Sequence, residues 1–74
     1  MVKPTRVTNS IRALRFARGE MTQAELAERI GVTRQTVIAI EQGKYSPSLE
    51  VAFQIAHVLG VQLDDVFQYP QTSE

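Results

Sequence analysis

The sequence predicts a single all-α domain of five short helices. Residue types that cap helix starts recur ahead of amphipathic stretches, and glycines close most of those stretches. A chain of 74 residues without cysteine has room for only one small core and no disulfide to staple it. Apolar residues make up 43% of the chain, enough for a packed interior and far above a disordered composition.

Residues 1–8 read as an N-terminal tail or edge strand, because Pro4 disfavours a helix running through Lys3. Asn9 and Ser10 are N-cap types, and Ile11, Leu14 and Ala17 follow at helical spacing until Gly19, which places a first helix near 9–18. Arg12, Arg15 and Arg18 occupy its other face, with Arg15 beside the Leu14 seam. Thr22 followed by Glu25 is a capping box, so a second helix starts there and carries Leu26, Ala27 and Ile30 to Gly31. Gly31 suits the positive φ of a tight interhelix turn, and Thr33 is again an N-cap type. The third helix then runs from about 34 to 42 and ends at Gly43. Two helices joined by so short a glycine-containing turn form a helix-turn-helix. Ser48 caps a fourth helix over about 49–59, ended by Gly60. Its main stripe is Leu49, Ala52, Ile55, Ala56 and Leu59, but Val51, Phe53 and Val58 widen the apolar arc, so this helix is either central or faces a partner. Residues 63–67 read as a short fifth helix with acids in its first turn. Residues 68–74 form a C-terminal tail, which leaves 9–67 as the domain.

The third helix separates two faces. At about 100° per residue with Arg34 at zero, Thr33, Val37 and Ile40 cluster near about 260°, while Gln35, Ile38, Ala39 and Gln42 fall between about 40° and 140°. Val37 and Ile40 must turn inward, which sends Arg34, Gln35, Ile38 and Ala39 outward. Arg is suited to bridging guanine O6 and N7 and Gln to bridging adenine N6 and N7, while Ile38 and Ala39 suit a thymine methyl. Phosphate contacts fall to the ends of the unit, where Gln23, Thr33, Thr36, Lys44 and Tyr45 lie. Glu41, at about 340° on the border of the buried face, requires a cation there, and Arg15 is the expected partner.

The formal net charge is zero, unlike the usual basic nucleic-acid binder. Its distribution is polar, however. Residues 1–34 carry Lys3, Arg6, Arg12, Arg15, Arg18, Arg29 and Arg34 against Glu20, Glu25 and Glu28; residues 35–74 carry Lys44 against Glu41, Glu50, Asp64, Asp65 and Glu74. One face toward phosphate and another toward something else fits that pattern. No apolar run approaches the length of a membrane span and the N-terminus has no apolar signal core, so a cytoplasmic protein is expected. The single histidine, His57, falls with Glu50 and Gln54 on the polar side of the fourth helix. Neither a nucleophile–base pair nor metal-ligand spacing is visible, so the expectation is no enzyme, no cofactor and no metal.

The tract MTQAELAERIGVTRQTV, then IEQGKYSPSLEVAFQIAHVLGV and the LDDVF tail closely resemble the XRE-type regulators, the phage repressor and Cro class. The resemblance spans about Asn9 to Phe67. It implies a five-helix lambda-repressor-like fold whose second and third helices bind DNA, and a homodimer on a palindromic operator. Position by position, it implies base reading by Arg34, Gln35 and Ala39, phosphate contact by Gln23, Thr33 and Lys44, and an interhelix ion pair of Arg15 with Glu41. Short stand-alone members such as the cytolysin repressor type are similar at both ends, which implies a β-ribbon joining Arg6–Thr8 to Val66–Tyr69. Relative to the phage proteins, Glu20 reads as an insertion, Phe16 stands where a polar residue is usual, and Pro70 limits the ribbon.

The function expected is therefore a sequence-specific transcriptional regulator, a repressor by preference, with double-stranded DNA and a second copy as partners and no membrane or small-molecule ligand. A DNA-binding antitoxin or restriction-modification controller is the alternative. The dimer contact is expected on Val58, Leu63, Val66, Phe67 and Tyr69, the apolar residues left over once the core is assigned.

Overall fold

A computed structural model describes residues 6–70. The order is β1 (Thr8–Asn9), α1 (Ile11–Ala17), α2 (Gln23–Ile30), α3 (Arg34–Glu41), α4 (Leu49–Leu59), α5 (Leu63–Val66) and β2 (Phe67–Gln68). Local chemistry explains the boundaries. The Thr22 hydroxyl accepts from the Glu25 amide while the Glu25 carboxylate accepts from the Thr22 amide, which closes the box at the start of α2. Thr33 and Ser48 cap α3 and α4 through the hydroxyl alone, which accepts from the amides of Thr36 and Val51. Gly31, at φ 73° and ψ 31°, supplies the left-handed residue that turns α2 into α3, a conformation that costs a residue with a Cβ about 1–2 kcal/mol.

α2 packs against both α3 and α4, and α4 against α5. Ile11, Leu26, Val37, Ile40, Ile55, Leu59 and Val66 fill the centre, almost fully buried. Thus α4 is a central helix. Ala52, Ile55, Ala56 and Leu59 of the expected stripe are buried, whereas Leu49 is 68% exposed and Val51, from the wider apolar arc, packs against the core. Leu49 is the first residue after the cap, where the helix has only begun to cross the core.

The ribbon is present but displaced. Thr8 pairs with Gln68 and Asn9 with Phe67 in an antiparallel pair, rather than Arg6–Thr8 with Val66–Tyr69. The first helix accordingly starts at Ile11, not at Asn9, and the fifth ends at Val66. Asn9 suits a helix cap by residue type, and its Oδ1 does accept from the Ile11 amide, but its backbone runs in the strand. Tyr69 and Pro70 lie beyond β2. Among the described residues, no helix is long and apolar enough to cross a membrane.

Hydrogen bonding of the charged form, first by the Thr22 backbone and then by the Thr22 hydroxyl, holds the Glu25 carboxyl below the ordinary carboxylate range. A depressed folded-state pKa gives stability that is present above the unfolded value and lost as pH falls through the folded one. Glu25→Gln keeps a hydrogen-bonding side chain at that position but no charge. Denaturation midpoints of wild type and variant should differ at neutral pH and converge in acid, below the unfolded carboxylate value; a gap independent of pH would remove the charge from the cap.

Candidate nucleic-acid interface

α3 is held on three sides. Val37 and Ile40 anchor it in the core, the Thr33 hydroxyl caps its start, and the Asn9 side-chain amide donates to the carbonyls of Ile40 and Glu41 at its end, at 3.0 and 3.4 Å. Arg15 reaches it from α1. The guanidinium Nε donates to Glu41 Oε2 at 2.7 Å, Nη2 to Oε1 at 3.2 Å, and Nη1 to the Met21 carbonyl at 2.8 Å. With Arg15 6% exposed, this is a bidentate ion pair largely out of water. Among the described residues no buried side-chain nitrogen or oxygen lacks a partner.

These supports fix which side chains point outward. Arg34 and Gln35 are exposed, and Ile38 and Ala39 half-buried. Thr33 and Thr36 share a hydroxyl–hydroxyl bond of 3.0 Å, so the two act as one polar group at the start of α3. Past its end, the Lys44 amide donates to the Ala39 carbonyl, and the exposed side chains of Lys44 and Tyr45 follow. Gln23 is arranged differently from a free surface amide: its Nε2 donates to Glu41 Oε1 at 3.0 Å, making it the third member of the ion-pair cluster. One Nε2 hydrogen remains for an outside acceptor.

Sequence reasoning missed Asn9 as a support of α3. An asparagine ahead of an apolar stretch carries a local signal for a cap and none for a contact with residues 40 and 41. It also missed a groove of about 1100 Å³ between α1 and the α2–α3 unit, whose walls include Arg12, Phe16, Thr22, Gln23, Arg34 and Gln42.

A family model described as helix-turn-helix matches residues 11–66. The chain belongs to the helix-turn-helix family. An uncharacterised HTH-type transcriptional regulator of Methanocaldococcus jannaschii is 57% identical to this helix-turn-helix chain over 49 residues, covering 66% of the chain and 74% of that protein. The cryptic phage CTXphi transcriptional repressor RstR of Vibrio cholerae is 35% identical over 66 residues, 89% of the chain and 59% of the repressor. In fold, a Bacteroides fragilis protein of known crystal structure superposes with a TM-score of 0.73 at 26% identity, over 84% of this helix-turn-helix chain and 98% of that one.

The apolar residues expected at a dimer contact differ in burial. Val66 is 0% exposed and belongs to the core cluster, because α5 packs against α4, so it offers no surface to a second copy. Val58 and Phe67 are half-buried against the same core, Leu63 is half-buried on α5, and Tyr69 is 62% exposed. Phe53 and Leu49 on α4 are exposed as well. His57 is exposed, and among the described residues no group of three or more His, Cys, Asp or Glu is placed to hold a metal ion.

Proposed function

We propose that this helix-turn-helix chain is a sequence-specific DNA-binding transcriptional repressor that acts as a homodimer on a palindromic operator, with α3 in the major groove. One observation carries the reading: α3 turns Val37 and Ile40 into the core and leaves Arg34 and Gln35 exposed at its N-terminal end, where a recognition helix meets base edges. Arg34 and Gln35 then read bases, Ile38 and Ala39 contact thymine methyls, and Thr33, Thr36, Gln23, Lys44 and Tyr45 grip phosphates on either side. The repressor named among the relatives supports repression over other uses of the same binding.

A single α3 spans only a few base pairs, so a second copy is needed for useful specificity. Leu63, Phe67 and Tyr69, with Val58 behind them, form the surface offered to that copy. Two-fold symmetry would set half-sites about 34 Å apart. Selection of binding sites from random duplex DNA, with the mass of the complex measured in solution, tests the whole reading. The expected result is a palindrome with half-sites one helical turn apart and two chains per site; no enriched sequence would overturn it, and an enriched single half-site with one chain bound would remove the dimer.

A further inference from the structure

Phe16 has no packing role that accounts for it. It is 52% exposed on α1, and unlike the other exposed rings among the described residues it has two guanidinium groups standing over it: Arg12 at 5.7 Å and Arg15 at 5.6 Å from the ring centroid. Their situations differ. Arg15 is committed to Glu41 and the Met21 carbonyl. Arg12 is exposed, and among the described residues its side chain has neither a hydrogen bond nor an ion pair; its one contact of note is the ring four residues along the helix.

That contact has a geometric consequence. A guanidinium held over an aromatic face keeps its rotamer while its N–H groups, which lie in its own plane, stay free for an acceptor. Arg12 and Phe16 border the groove that Thr22, Gln23 and Arg34 line from the other side. Of the two carboxylates on that groove, Glu41 is already matched by Arg15 and Gln23, and Glu20 is exposed at the rim. The groove therefore presents Arg12 and Arg34 as cations with free donors beside the first turn of α2.

We propose that Arg12, held by Phe16, is a phosphate-binding residue of the DNA interface, so that α1 grips the phosphodiester strand flanking the bases that α3 reads. The assignment rests on the DNA-binding reading above and extends the interface to α1. It gives the exposed phenyl ring a purpose: the ring holds a cation that would otherwise lose rotamer freedom on binding.

Each phosphate neutralised adds about 0.9 to the slope of log K against log salt. Arg12→Gln should make that slope shallower by about 0.9 on operator and non-specific duplex alike, equivalent to about a threefold difference in the affinity that survives a rise from 50 to 200 mM salt. Arg12→Lys should keep the slope, since the charge remains. Phe16→Leu should weaken binding when Arg12 is present and have no further effect on Arg12→Gln, a coupling that a double-mutant cycle measures. Both sites are exposed, and the melting temperature of each variant reports that the fold is intact. An unchanged slope in Arg12→Gln overturns the proposal, as does a Phe16→Leu loss of equal size in both backgrounds. Arg34→Ala is run alongside: if it abolishes operator preference while Arg12→Gln leaves the slope alone, DNA reading stands and the α1 contact falls. Wild type without affinity for any duplex would overturn both.

Discussion

Glu41→Ala is expected to lower the unfolding free energy by about 3–5 kcal/mol, the usual cost of removing one partner from a buried ion pair. The Arg15 guanidinium would remain 6% exposed with two of its donors, Nε and Nη2, facing a void where the carboxylate had been, and Gln23 would lose its acceptor. A domain of this length has roughly 4–11 kcal/mol of stability in total, so a large share goes with one side chain. Chemical denaturation of the single variants and of Arg15→Met with Glu41→Leu measures it. The double replacement should recover most of the loss, because two apolar groups of similar size leave no uncompensated charge. Unchanged midpoints in both Glu41→Ala and Arg15→Ala would remove the pair from the account of what holds α1 against α3.

Arg34→Ala is expected to weaken operator binding by about 1–3 kcal/mol, roughly 5- to 150-fold, through loss of a bidentate base contact. Non-specific duplex should lose no more than one surface charge confers, because a base contact contributes only where the base is right. Arg34 is exposed and, among the described residues, makes no ion pair, so the melting temperature should hold while the preference collapses. Competition binding with operator and scrambled duplex separates the two affinities. Equal losses on both would reassign Arg34 to phosphate.

What was legible in the sequence was what acts within a few residues. Thr22 with Glu25, Thr33 and Ser48 are caps whose partners lie three positions on, and the left-handed glycines at 31 and 60 end helices by their own backbone. The two faces of α3 were equally open to view, since Val37 and Ile40 are fixed by a period of 3.6 residues. Glu41 beside a hydrophobic face called for a cation, and Arg15 supplies it from 26 residues away.

What the sequence concealed depends on the third dimension. Val66 reads as a spare apolar residue on a short helix; the packing of α5 against α4 carries it into the core cluster. Gln23 reads as a phosphate-contacting residue at the start of α2, with no local sign that its Nε2 donates to Glu41 Oε1 at 3.0 Å. Leu49 continues an apolar stripe by spacing, yet it is 68% exposed at the start of α4 while Val51 and Ala52 beyond it are packed. No periodicity encodes these outcomes, because each is decided by how whole elements pack.

Asn9 joins two parts of the molecule that have no sequence in common. Its backbone is paired with Phe67, and its side chain closes the last carbonyls of α3. Opening the β1–β2 pair therefore frees those carbonyls, and fraying the end of α3 withdraws a tether from β1. The two belong to one cooperative unit, whose amides should share a common opening free energy in hydrogen exchange. By thermodynamic reciprocity, whatever stabilises the β1–β2 pair makes α3 stiffer, and whatever binds and stiffens α3 stabilises the β1–β2 pair by the same amount.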